Sequence, residues 1–283
     1  MPDQPAFEPL HQAHAIEQVA LIINFQRPLD VRLLRAARDA VGNPADLPAR
    51  AELRAYALQV GANMMPAAAA VSGPVVQGGP APIAGFSFMR MRPDGSEEIE
   101  FQVNRHQISF RTMLYTRWAK VVAQAQKLFD AVLPVFLNHS PITAIAMNYA
   151  DKFVCLASPG ECNAHTLLRK DSPYIAPNVF EANDLWHCHT GAFSRPDEQT
   201  KRLITVNVDL LADKIEEKDR TVLSISSILT DGFNNPGYSP TELTLDTGSD
   251  FVFQRFDTLH SLDKVVLGSI ITPSAAQRIA LEQ

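Results

Sequence analysis

Between residues 19 and 25 the chain reads VALIINF, a short apolar run rich in β-branched side chains and therefore strand-like. The period then lengthens. Leu33, Leu34, Ala37 and Val41 recur at helical spacing after Asp30, a residue suited to an N-cap, and Gly42 supplies a stop. From 61 to 85 proline, glycine and alanine replace any period, which predicts a long loop. Period two follows in GFSFMRM, EEIEFQV and QISFRTM, separated by the turn sequences PDGS and NRHQ. Aligning their apolar faces sets Phe88 opposite Phe101 and Phe101 opposite Phe110. The same register sets Glu100 opposite Arg111 on the polar face. Residues 115 to 138 then carry the clearest helix stripe of the chain, through Trp118, Val121, Val122, Ala125, Leu128, Phe129, Val132, Val135 and Phe136.

The order partly recurs. ITAIAMNYADKFVCL (142 to 156) reads as a strand. LWHCHTGAF, KRLITVNVDL and DRTVLSISSIL form a second meander, and an apolar stripe over 255 to 271 gives a second long helix. The expected fold class is α+β. It has two pseudo-repeated halves, 1 to 140 and 141 to 283, each an antiparallel sheet of about four strands backed by a long helix in a saddle-like unit.

Composition narrows the partners. With 25 basic and 31 acidic residues among 283, the net charge of −6 offers no footprint for nucleic-acid phosphates. No apolar run approaches the ~18 residues of a membrane span, and the chain starts without a basic region followed by an apolar stretch. Cys155, Cys162 and Cys188 are an odd, sparse set, which fits a reducing cytoplasm. A protein partner or a small-molecule ligand is expected; the sequence does not identify a cofactor.

LWHCHTGAF carries the most suggestive polar residues. With the following loop centred on Asp197, Cys188 falls opposite Val206, Trp186 opposite Val208 and Thr190 opposite Ile204, which joins the apolar positions into one face. The other face gathers His187 beside Asn207 and His189 beside Thr205, with Asp209 one step along and Ser224 and Ser226 on the next strand. Two imidazoles at i and i+2 with Asp209 form the alternative metal set; a hydrogen-bonded pair of sheet histidines is the commoner role, and the third ligand is not assured. Cys188, on the apolar face, is a poor nucleophile. Gly78, Gly79 and Gly85 lack the strand and lysine context of a phosphate cradle. Ser158, Ser172 and Ser194 lack an elbow sequence. Tyr115, Arg117 and Trp118, and Asp151, Lys152 and Phe153, stand at expected element ends, where a charge can orient a ligand; capping or edge cover is the commoner role of such residues.

YTRW, NYADKF, LWHCHTGAF, VNVD and RIAL together resemble an uncharacterised bacterial protein family of about this length and patchy distribution. The resemblance implies no reaction and no catalytic residue. By analogy with patchily distributed genes it implies a regulatory, defence or toxin–antitoxin setting. The leading expectation is therefore a binding or interaction module. The alternative is an enzyme built on His187, His189 and Asp209, and a structural subunit docking through its polar face is a third class.

Overall fold

The computed structural model describes residues 7–11, 13–54, 81–157, 162–182, 184–215, 217–233 and 245–281. Its strands are β1 (Phe7–Pro9), β2 (Ile16–Phe25), β3 (Ala49–Arg54), β4 (Ile83–Met91), β5 (Glu97–Asn104), β6 (Gln107–Thr112), β7 (Ile142–Cys155), β8 (Trp186–Ser194), β9 (Lys201–Ile215) and β10 (Lys218–Gly232). Its helices are α1 (Val31–Val41), α2 (Trp118–Leu137), α3 (Leu245–Ile270) and α4 (Pro273–Arg278).

All ten strands belong to one antiparallel sheet rather than to separate sheets of about four, in the order β3-β4-β5-β6-β2-β7-β10-β9-β8, with β1 also paired to β7. The first meander has the register its apolar period predicts: Phe88 faces Phe101, Phe101 faces Phe110 and Glu100 faces Arg111. β4 starts at Ile83, so the last residues of the expected loop are strand. The part of that loop from 61 to 80 lies outside the described residues.

The helices lie along one face because each offers one apolar stripe and the alternating strands offer one apolar side. α1 packs on β4 and β5, α2 on β6, and α3 on β7 and β10, with α2 between the other two. The Asp30 side chain caps α1 by accepting from the Leu33 amide at 2.8 Å, and Gly42 closes that helix at a φ of 65°. α3 begins at Leu245, well before the expected start, because polar positions there break the apolar stripe without breaking the helix.

Two core clusters result. One joins β2, β4, β5 and β6 with α1, α2, the start of β7 and the first turns of α3. The other joins Phe7, Phe153, Cys188, Val206 and Val208 to the end of α3 and to α4. Residues 1 to 140 and 141 to 283 thus share the first cluster, and Phe7 belongs to the second.

Two polar features are built into this core. Arg202 on β9 holds Asp231 of β10 through two bonds of 2.6 and 2.8 Å, and Asp231 is fully buried. Cys155 and Cys162 form a disulfide, leaving Cys188 as a buried free thiol. That bond corrects the reading of three sparse thiols and takes the cysteines out of the argument for a reducing compartment. Among the described residues no helix is long and apolar enough to cross a membrane.

Candidate functional site

The sheet face opposite α1, α2 and α3 displays the polar residues that the sequence singles out. Strand periodicity places them there: along β8, Cys188 is buried while His187 and His189 are exposed, and along β9, Val206 and Val208 are buried between the more open Thr205, Asn207 and Asp209. The register then arranges them in cross-strand rows. Lys152, Ser224, Asp209 and His187 form one row across β7, β10, β9 and β8. Ala150, Ser226, Asn207 and His189 form the next, and Asn148, Ile228, Thr205 and Gly191 the one after.

The expected pairing of β8 with β9 is therefore corrected by two residues. Cys188 faces Val208, Trp186 faces Leu210 and Thr190 faces Val206; His187 faces Asp209 and His189 faces Asn207. The hairpin centres one residue later than the sequence suggested, so each partner moves by two. A slip of two preserves the face, which is why the buried and open sides are as expected.

Side-chain contacts follow these rows. His187 Nδ1 meets Asp209 Oδ1, and His189 Nδ1 meets Asn207 Oδ1. The two imidazole rings lie 6.4 Å apart, nearly parallel. Ser226 Oγ donates to Asn148 Oδ1 at 3.3 Å. Lys152 Nζ donates to Glu17 Oε1 at 2.7 Å and to Asp213 Oδ2 at 2.9 Å. Burial opposes the Lys152 charge, but the Glu17 and Asp213 carboxylates outweigh it and hold its pKa above the ordinary lysine value. Among the described residues no three His, Cys, Asp or Glu side chains are grouped to hold a metal ion, the His187, His189 and Asp209 set included.

Two expected site residues lie elsewhere. Arg117 is the exposed N-cap residue of α2, in the helix layer, and makes no side-chain cap bond. Asp151 is not at an element end. It lies well inside β7, is 2% exposed, and points into the helix-covered core.

Asp151 belongs to a second polar cluster that sequence reasoning missed. The Tyr149 hydroxyl shares a 2.9 Å hydrogen bond with His260 Nδ1 of α3, and Trp118 stacks on His260 with ring centres 4.4 Å apart. Trp118 Nε1 donates to Asp257 Oδ1 at 2.7 Å. Tyr115 lies 6.1 Å from Tyr149, and His14 meets Tyr115 edge-on at 5.5 Å. One turn beyond His260, Asp263 accepts from Ser227 Oγ.

Burial controls the titration of this cluster. It pushes the Asp263 carboxyl up to about 7, against the pull of Ser227, and drives the His260 imidazole down to about 4, helped by Lys264. Asp151 is pushed well above the ordinary carboxylate range, first by burial and then by Asp263. Burial likewise raises Tyr149. Asp151 Oδ1 and His14 Nδ1 have no hydrogen-bond partner among the described residues. The inner members of the cluster, Tyr149, Asp151, Ser227 and Asp263, are buried, whereas Trp118 and His260 lie at its half-buried margin and Asp257 is exposed.

A sequence signal for it exists. Met147, Tyr149, Asp151 and Phe153 share one period-two face, and Asp263 falls on the stripe of Phe256, Leu259, Val266 and Ile270 along α3. Four residues of the YTRW and NYADKF motifs, Tyr115, Trp118, Tyr149 and Asp151, converge here.

No protein-family model, curated protein or solved structure matches the chain.

Proposed function

We propose that the protein is a binding or interaction module whose open sheet face receives a protein partner or a small-molecule ligand. The observation that carries this reading is the set of cross-strand rows from Lys152 to His187 and from Ala150 to His189. They place donors and acceptors side by side on four adjacent strands, on the face opposite the described helices α1, α2 and α3. With one lysine, one aspartate and two histidines, these rows offer no run of positive charge for nucleic-acid phosphates. A thermal-shift screen of ligand pools, run on the wild type and on His187→Ala with His189→Ala, tests it. Ligands that stabilise the wild type and not the double variant support it; ligands that stabilise both equally place the binding site elsewhere.

The contact between His187 and Asp209 favours a second reading, an enzyme. With Nδ1 engaged by the carboxylate, the imidazole is oriented, its other nitrogen remains for a substrate proton, and the His187 side chain is 62% exposed.

The pseudo-repeat and the saddle-like form are part of the same proposal. Moving outward from the central β2 and β7 pair, each half presents its first strand, then the last strand of its meander, then the middle one and then the first. The bacterial setting and the regulatory, defence or toxin–antitoxin role rest on the motif resemblance alone. A cytoplasmic location stays within the proposal, with the Cys155–Cys162 bond as the finding that weighs against it.

A further inference from the structure

The two lateral edges of the sheet are built differently. β3 at one edge carries Arg50, Glu52 and Arg54 at alternate exposed positions, the kind of charge that discourages another strand from adding. β8 at the other edge, WHCHTGAFS, has no Lys, Arg, Asp, Glu or Pro, and its register with β9 runs from Trp186 to Ser194 without a bulge. Among the described residues its backbone bonds go to β9 alone. Gly191, Ala192, Phe193 and Ser194 are exposed, Phe193 at 64%. The segment around Tyr174 reaches β8 only from the core face, where Thr190 Oγ1 donates to the Tyr174 carbonyl at 2.9 Å.

We infer that two copies of this chain join through β8, antiparallel and edge to edge, extending both sheets into one. A two-fold axis perpendicular to the sheet at Thr190, the midpoint of the strand, pairs all nine residues and sets Trp186 and His189 opposite small ones. Trp186 meets Ser194, Cys188 meets Ala192, and His189 meets Gly191 of the second copy. Phe193 meets His187, an aromatic pair of the kind that stabilises antiparallel neighbours.

Gly191 is the observation that favours a second copy over an unrelated strand. It is not among the glycines with positive φ, and a Cβ added to it would meet nothing closer than 3.5 Å, so nothing among the described residues of one chain demands glycine there. In the paired arrangement its missing side chain leaves room for the imidazole of His189 from the second copy. The axis also keeps the two open faces on the same side, so the histidine rows of both copies become one surface. Main-chain hydrogen bonds supply the affinity, as in other strand additions.

The test is sedimentation of the full chain from about 1 to about 200 µM, the range in which an interface limited to one strand pair dissociates. The expected result is a monomer–dimer equilibrium whose dissociation constant rises at least about tenfold in Gly191→Lys and in Phe193→Glu. Arg50→Ala, at the opposite edge, leaves it unchanged. Circular dichroism checks that the variants are folded; Phe193→Glu changes an exposed side chain and carries the test alone if Gly191→Lys misfolds. A wild type that stays monomeric throughout, or a Gly191→Lys that associates as tightly as wild type, overturns the inference. Neither outcome touches the binding role of the open face, which does not depend on dimerisation.

Discussion

Asp151 and Lys152 are neighbours on β7 and point to opposite faces of the sheet. Asp151 enters a closed core beside α3, and Lys152 joins Glu17 and Asp213 on the open side. One strand thus carries a carboxyl whose pKa burial raises and an amine whose charge the neighbouring carboxylates support, each by the opposite effect of its surroundings.

The buried carboxyls set a pH dependence with a definite sign. Asp263 titrates at about 7 in the fold against 3.8 ordinarily, so its contribution to stability is full below about pH 4 and is lost as pH rises through about 7. Asp263→Asn, which cannot ionise, should gain on the wild type by on the order of a few kcal/mol between pH 5 and pH 8. His260, at about 4 against 6.5, runs the other way: its contribution is present above about pH 6.5 and lost as pH falls through about 4. Urea unfolding of wild type and variant at both pH values measures this, and a constant difference between them would remove Asp263 from the titrating set.

Thiol counting checks both the face assignment and the disulfide. Folded protein should leave a bulky thiol reagent unreacted, because Cys188 is 6% exposed and Cys155 is bonded to Cys162. Denaturant alone should release one thiol, and denaturant with reductant all three.

Val206 lies fully buried in the second core cluster, so Val206→Asp places an unpaired charge in the core and should cost at least about 3 kcal/mol. The double change His187→Ala with His189→Ala should shift stability by no more than about 0.5 kcal/mol, since neither ring fills the core. Chemical denaturation of the two variants side by side tests the sidedness of β8 and β9 directly.

Arg202 and Asp231 should behave as a desolvated pair. Asp231→Ala leaves the Arg202 guanidinium buried with its main partner gone and should cost about 3–5 kcal/mol, whereas Arg202→Met with Asp231→Leu should restore most of that loss. Equal destabilisation by the single and double variants would show that packing, not charge, dominates there.

Much of this was legible because strands and helices repeat. Period two fixed the partners of Phe101 and the burial of Cys188, Val206 and Val208, and the helical stripe fixed α2 nearly to its ends. The β8 to β9 register was not, because period two cannot distinguish a hairpin loop from one that shifts every partner by two. The polar cluster was missed for a different reason. Its members arrive from the segment before β2, the link into α2, β7, β10 and α3, and a charged residue between apolar ones is ordinarily assigned to an exposed end. Asp151 obeys the period of its strand instead of the preference of its side chain.

The central pairing of β2 with β7 bears on how the chain is made. A polypeptide leaves the ribosome N-terminus first, yet β2 must wait for β7 to gain its second neighbour, and the cluster around Phe7 is complete only once Ala275 and Ala276 have been made. Until then the first meander stands with β2 as an open margin on a nascent chain. Folding of this sheet can close only after residues 275 and 276 have been made, which predicts slow acquisition of structure.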